Sequence, residues 1–217
     1  LTEGTGNGGA VTIIASDSIT LSNGGFISSE TEGSGNAGSV AVTAPIITVD
    51  GGSISSSAYL LTGGNHTSGG DAGSVSVSTG SLTLSGGSQI ASATFGAGSA
   101  GTVTVTATGT VSIAGHGSTG FSSGLFSAAE AGSTGDAGLV SLSASTLTIS
   151  DGGVITTSSS GPGRGGDIQV QASNISLTDS TLIFANTYGT GRGGNIAINA
   201  GSLTLSGGSQ IASATFG

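Results

Sequence analysis

The sequence predicts an all-β chain wound as a β-solenoid, in which short parallel strands stack on the same strands of neighbouring coils. Two observations carry this prediction. The segment GSLTLSGGSQIASATFG occurs twice, letter for letter, at 80–96 and 201–217. A Gly followed by alternating polar and apolar residues also recurs along the chain, as it does in strands with one buried face. Such repetition is typical of solenoids, because each coil meets the same neighbours as the last.

The recurring Gly opens each unit and is called the anchor here. The anchors are 29, 35, 28, 37, 28 and 28 residues apart, which indicates about seven coils of roughly 28 residues, with insertions in the second and fourth. We call each segment that begins at an anchor a repeat, and number the repeats one to seven. Residues 1–217 are expected to form a single solenoid domain cut from a longer array. The anchors are Gly9, Gly38, Gly73, Gly101, Gly138, Gly166 and Gly194.

Each repeat carries three strand signals, which predicts three parallel sheets. Val, Ile and Leu at alternate positions face inward, and the Ser and Thr between them face solvent. The third strand is the weakest, with one Ile followed two positions later by a small residue. These small residues indicate either a tight corner or a polar ladder inside the coil. They are Ser29, Ser56, Ser92, Thr157, Ala185 and Ser213.

Composition and charge exclude several classes of function. The net charge is −9, and Arg164 and Arg192 are the only two cationic side chains. A phosphate-binding surface needs clustered cations, so we expect no nucleic-acid partner. The absence of Cys rules out disulfides and thiolate metal sites. The acidic residues are scattered and the two His lie far apart, so we expect no catalytic residues, no metal and no cofactor.

The motif G-x-G-N/D-A-G-x-V-x-V, followed by S-L-T-L-S-G-G-S-Q-I-A-S-A-T-F-G, resembles the repeat region of filamentous-haemagglutinin-like exoproteins. These are large two-partner-secretion proteins of cyanobacteria and other Gram-negative bacteria, and the Ser123-Gly124-Leu125-Phe126 segment is similar to one in cyanobacterial members. The resemblance covers the whole chain. It implies a right-handed, single-stranded parallel β-helix, export through an outer-membrane transporter, and a secreted or cell-surface role in adhesion or surface structure.

The insertions in repeats two and four are the candidate recognition loops, because loops that project from a regular solenoid commonly carry binding residues. Their apolar residues have an alternative interpretation, in which they cap the interior or pack on the flank of the solenoid. The candidate residues are Tyr59, Leu60, Asn65 and His66 in repeat two, and His116, Phe121, Leu125 and Phe126 in repeat four.

Two columns of polar residues have weaker functional interpretations. The column two residues before the anchors reads Asn7, Asn36, Asp71, Ser99, Asp136, Arg164 and Arg192, which favours tight turns over a calcium site. The outward face of the second strand carries a ladder of Ser and Thr that fits a soluble surface or weak ice binding. Thr20, Thr83 and Thr148 are examples, and Ile46, Asp50 and Ala114 interrupt the ladder.

Two function hypotheses therefore follow from the sequence. The first is a non-enzymatic extracellular adhesin, a stiff stalk that attaches to surfaces, cells, glycans or matrix. The second is a structural repeat whose copies or adjoining coils stack end to end into an extracellular fibre or surface layer. Ice binding is a minor third alternative.

Overall fold

The computed structural model describes residues 2–59, 61–62, 65–66 and 69–217, and these residues form an all-β structure. No helix occurs among them, and hence none of a length and apolarity that would span a membrane. In chain order the strands are β1 (Thr2–Gly4), β2 (Val11–Ile14), β3 (Ser18–Ser22), β4 (Phe26–Gly33), β5 (Val40–Asp50), β6 (Ser53–Tyr59), β7 (Leu61–Thr62), β8 (Asn65–His66), β9 (Val75–Ser85), β10 (Gln89–Thr94), β11 (Val103–Ala107), β12 (Thr110–Ala114), β13 (Gly124–Ala129), β14 (Val140–Ser150), β15 (Val154–Ser159), β16 (Ile168–Leu177), β17 (Leu182–Thr187), β18 (Ile196–Leu205) and β19 (Gln210–Thr215).

The strands form two large parallel sheets, where the sequence predicted three. The 8-stranded sheet has the order β1-β4-β6-β10-β13-β15-β17-β19. The 9-stranded sheet has the order β18-β16-β14-β11-β9-β5-β2, with β12 and β3 also paired into it. Five repeats merge their first and second predicted strands into one long strand, such as β5 and β9. In these five repeats the strand continues through the join, whereas in repeats one and four it is interrupted between Ile14 and Ser18 and between Ala107 and Thr110.

The register aligns the apolar positions of successive repeats. In the 9-stranded sheet, the first apolar residue of each repeat pairs with the equivalent residue of the next repeat. In the 8-stranded sheet, one aliphatic residue of each repeat pairs with the equivalent residue of the next repeat. All of the residues from repeats two to six in these columns are buried. The two columns read Val11, Val40, Val75, Val103, Val140, Ile168, Ile196 and Ile27, Ile54, Ile90, Leu125, Ile155, Ile183, Ile211.

A buried ladder of hydroxyl groups connects the third strand to the anchors. The Ser56 hydroxyl donates to the Gly38 carbonyl oxygen at 2.8 Å and accepts from the Gly73 amide at 2.9 Å. It thus bridges two successive anchors. Ser29, Ser92 and Ser127 form the same pair of bonds with their own anchors. The expected polar ladder is therefore present.

The expected tight corner is present at the same place. A Cβ added to Gly73 would overlap the carbonyl group of Gly38, and a Cβ at Gly38 would overlap that of Gly9. The anchors are Gly because neighbouring repeats approach too closely at this column for any side chain.

The Asn and Asp column before the anchors also links successive repeats. The Asn36 amide donates to Asn7 Oδ1 at 3.0 Å, the Asp71 amide to Asn36 Oδ1 at 2.9 Å, and the Ser99 amide to Asp71 Oδ1 at 2.7 Å. The side chains of this column thus accept hydrogen bonds from the backbone of the next repeat. Among the described residues no three or more His, Asp and Glu groups converge as a metal site would require.

Candidate ligand-binding cleft

Three glycine-rich turns line one side of the candidate cleft. They connect the two sheets and lie beside one another at the ends of β3, β5 and β9. Asn23 and Gly24 have φ values of 54° and 80°, and Gly86 and Gly87 have 63° and 81°. This left-handed backbone explains the Gly-rich sequence of the turns. Because glycines carry no side chain, these turns leave an open surface on that side of the cleft.

A short hairpin of residues 115–123 rises from repeat four beside these turns. The Gly117 amide donates to the Phe121 carbonyl oxygen at 2.8 Å, and the Ser123 amide donates to the Gly115 carbonyl oxygen at 2.9 Å. The hairpin is docked on repeat three, because the Gly87 amide donates to Ser123 Oγ at 2.9 Å. It therefore has a defined conformation despite its exposed position.

Two exposed phenylalanines flank the cleft. Phe121 on the hairpin is 65% exposed, and Phe26 at the start of β4 is 71% exposed. The cleft between them has a volume of about 770 Å³, and its lining also includes Glu30, Asp50 and Gln89. The site thus combines two aromatic walls with carboxylate and amide groups. Such a combination is typical of sites that orient a small ligand.

The cleft continues along the outer face of the 8-stranded sheet as a smaller trough of about 380 Å³. The base of the trough consists of small side chains, including Ser55, Ser57, Ala91 and Ala93. Phe126 and Glu130 also line it, and Phe121 lines both the trough and the cleft. The two depressions therefore form one elongated surface with Phe121 at their junction.

Glu130 is half-buried at one end of the trough. Burial raises the pKa of this carboxyl above its usual range, because desolvation disfavours the charged form. The folded protein therefore holds this proton more tightly than the unfolded chain does. The stabilising contribution is complete below the ordinary pKa of Glu and is lost as the pH rises through the folded-state pKa.

We expect Glu130→Gln to flatten the pH dependence of stability. Between about pH 4 and about pH 8, the wild-type melting temperature should fall relative to that of the variant, because only the wild type must ionise a desolvated carboxyl. Thermal unfolding by circular dichroism measures this difference. Asp17→Asn, which removes an exposed carboxyl, is the matched control and should follow the wild type. Parallel curves for wild type and Glu130→Gln would contradict the expectation.

The four candidate residues of repeat four lie in three different environments. Phe121 is exposed on the hairpin, and Phe126 is half-buried on the outer face of β13. His116 is also exposed, and its ring lies against Gly152 of the next repeat, where a Cβ would overlap it. His116 therefore helps to seat the hairpin on its neighbour.

Leu125 corrects the prediction of where the repeat-four loop ends. The residue is fully buried in β13, where it pairs with Ile90 and Ile155. Leu125 occupies the inward position that Ile holds in other repeats. The strand pattern was therefore present in the sequence, but Leu in place of Ile made it harder to recognise. The projecting loop therefore stops before Gly124, and Leu125 packs in the core.

The repeat-two candidates are less fully described. Tyr59 is the last residue of β6, and its backbone pairs with Glu32. Asn65 and His66 form β8, which pairs antiparallel with β7. Leu60 lies outside the described residues. Tyr59 therefore belongs to a strand of the 8-stranded sheet, and the insertion follows it.

Sequence reasoning did not single out Phe26, Glu30 or Gln89, and it named Asp50 only as an interruption of the Ser and Thr ladder. The register shows why, because Phe26 pairs with Ser53, which pairs with Gln89 in turn. A large apolar residue thus occupies an outward position where the next two repeats have polar ones. The replacement of a polar residue by Phe26 was visible in the sequence. That Phe26 lines a cleft depends on where the hairpin lies, which the sequence pattern does not specify.

The outward Ser and Thr of the second strand form one unbroken column, which reads Thr20, Thr48, Thr83, Ser112, Thr148, Ser176 and Thr204. The neighbouring columns contain Ile46, Asp50, Ala114 and Asn174. The regular hydroxyl array is therefore one residue wide. Ice binding stays a prediction of the sequence, and thermal hysteresis at high protein concentration tests it.

Comparisons with protein-family models, curated proteins and solved structures give no match.

Proposed function

We propose that the chain is a right-handed parallel β-solenoid of about seven coils and that it serves as a non-enzymatic extracellular adhesin. In this proposal, the stack forms a stiff stalk on the surface of a Gram-negative bacterium or in its secreted matrix. The resemblance to filamentous-haemagglutinin-like repeats supports this setting and implies an outer-membrane transporter as a secretion partner. The parallel register and the column of closely packed anchors support the coiled path of the chain.

The observation that carries the attachment function is the presentation of Phe121. A side chain that is 65% exposed stands on a hairpin fixed by backbone hydrogen bonds. Aromatic residues are enriched at protein interfaces, and a fixed conformation reduces the entropy lost on binding. Phe26, at 71% exposed, lies across the same cleft. Two large apolar groups at one site favour a role in contact with a partner over a purely structural one.

A catalytic role for the cleft and the trough has less support. Glu30 pairs with Ser57, which pairs with Ala93 and then Ala128, so Glu30 and Glu130 are three strands apart. Three strand spacings amount to about 14 Å. Carboxylate pairs that cleave glycosidic bonds lie roughly 5–10 Å apart. Glu30 and Glu130 are therefore too far apart to act together in glycoside cleavage, which supports binding without catalysis by this pair.

The test is adhesion of beads coated with the purified protein to erythrocytes and to bacterial cells. The comparison variant deletes residues 117–122 and carries His116→Gly, which leaves Ala114-Gly-Gly-Ser123-Gly124. That turn has the length and pattern of Ser85-Gly86-Gly87-Ser88-Gln89 in repeat three, so the stack should remain intact. We expect the variant to lose most of the adhesion. Equal adhesion by both proteins would reject the role of the hairpin.

A second candidate function is end-to-end assembly with copies of the chain or adjoining repeats. Leu203 and Leu205 on β18 are 44% and 40% exposed, whereas the equivalent Leu82 and Leu84 are 1% and 0% exposed. Stacking of another repeat on β18 would bury these side chains and pair the free strand edge. Sedimentation across a range of concentrations and electron microscopy test this assembly. A 20.1 kDa monomer at every concentration would contradict it.

A further inference from the structure

The two walls of the cleft are separated by a distance that the strand register sets. Phe26 pairs with Ser53, which pairs with Gln89, and Gln89 pairs with Gly124 at the end of the hairpin. The hairpin leans on the repeat-three turn, because a Cβ at Gly87 would lie 2.9 Å from the Phe121 carbonyl oxygen. The rings of Phe26 and Phe121 therefore project from backbones two to three strand spacings apart, or about 10–14 Å.

Polar groups line the cleft between these walls. Gln89 contributes an amide, which can both donate and accept hydrogen bonds. Asp50 accepts from the Ser85 hydroxyl at 2.9 Å, and an ionised carboxylate retains further acceptor positions after one such bond. The cleft can thus hold a ligand that has apolar faces and a rim of hydroxyl groups.

The charge of the cleft restricts the ligand further. Glu30 and Asp50 are both in its lining, and no Lys or Arg is. Arg164 and Arg192 lie in repeats five and six, outside the cleft, and the whole chain has a net charge of −9. An anionic polymer would be repelled from this site.

We propose that the cleft between Phe26 and Phe121 binds a neutral hexopyranose segment of a polysaccharide. The C–H groups on the faces of a pyranose ring stack against the electron-rich faces of aromatic rings. Its equatorial hydroxyls donate to carboxylates and exchange hydrogen bonds with amides. A cleft of about 770 Å³ is of the size that accommodates a short oligosaccharide. This inference rests on the proposed attachment function and names the class of its ligand.

The experiment is calorimetric titration of the purified chain with cellohexaose, maltohexaose and mannohexaose, and with polygalacturonate as the anionic probe. Phe121→Ala and Phe26→Ala are the test variants. Phe216→Ala is the matched control, because Phe216 is 64% exposed but stacks on Tyr188 outside the cleft. All three replacements are at exposed positions, and melting temperatures verify that each variant is folded.

We expect at least one neutral hexasaccharide to bind the wild type and the Phe216→Ala variant equally. The affinity should fall at least tenfold in both Phe121→Ala and Phe26→Ala, and polygalacturonate should not bind. Equal affinity in all variants would overturn the proposal. Binding of polygalacturonate, or failure of every neutral hexasaccharide to bind, would overturn it as well.

The result separates the ligand from the attachment function. If coated beads adhere through the hairpin while no neutral hexasaccharide binds, the ligand class is wrong and the adhesin proposal stands. If a hexasaccharide binds in the cleft while the beads fail to adhere, the binding site stands and the attachment function fails.

Discussion

Gly73→Ala should destabilise the protein by about 3 kcal/mol or more, since overpacking at a rigid site costs this much when the neighbour cannot move. A Cβ at this anchor would overlap the Gly38 carbonyl and lie 2.7 Å from Ser56 Oγ. The obstacle is the backbone of Gly38, just before β5, and the Ser56 hydroxyl holds its carbonyl group in place, so a rotamer change cannot relieve it. Repeats two and three would have to separate at this column, and that separation would weaken the adjacent strand pairing.

Urea unfolding followed by circular dichroism measures this effect. Gly9→Ala is the matched control, because Gly9 is the anchor of repeat one and a Cβ there would meet nothing within 4 Å. We expect its effect to stay within about 0.5 kcal/mol, as for most surface substitutions. If both variants lost the same stability, intrinsic helix or strand preference would explain the anchors better than close approach of the repeats.

The anchor column shows how much of the fold was predictable. The spacing of these Gly residues indicated the repeat length. The two-residue alternation after each Gly indicated which side chains face inward. The merging of first and second strands was not predictable in this way. It depends on the backbone staying extended across the bend at Pro45 or Gly80, and neither residue type specifies that conformation.

The cleft was predictable only in part. Phe121 was identified because an aromatic residue in a polar insertion is unusual. Phe26 and Asp50 belong to regular repeats, and their proximity to Phe121 depends on where the hairpin docks. That placement depends on long-range contacts of Gly87 and Ser123, which a pattern along the chain does not contain.

The buried hydroxyl ladder leads to the second large effect. Ser56→Ala should destabilise the protein by about 2–4 kcal/mol, because a buried donor or acceptor left without its partner costs about 1–3 kcal/mol. The substitution leaves two such groups, the Gly38 carbonyl oxygen and the Gly73 amide. Ser55→Ala is the matched control, since it removes the same hydroxyl one residue earlier, on the outer face of the same strand, and should have little effect.

Repeat six suggests how the outcome should be interpreted. Ala185 stands in the ladder where other repeats have a hydroxyl, and the Gly194 amide there donates to the Ala185 carbonyl oxygen at 3.2 Å. The backbone can therefore find another acceptor at one position of the ladder. If Ser56→Ala and Ser55→Ala unfold at the same urea concentration, repeat two makes the same adjustment and the hydroxyls add little stability. A large difference would show that the repeats depend on the ladder, because the anchors on both sides of Ser56 are too closely packed to shift.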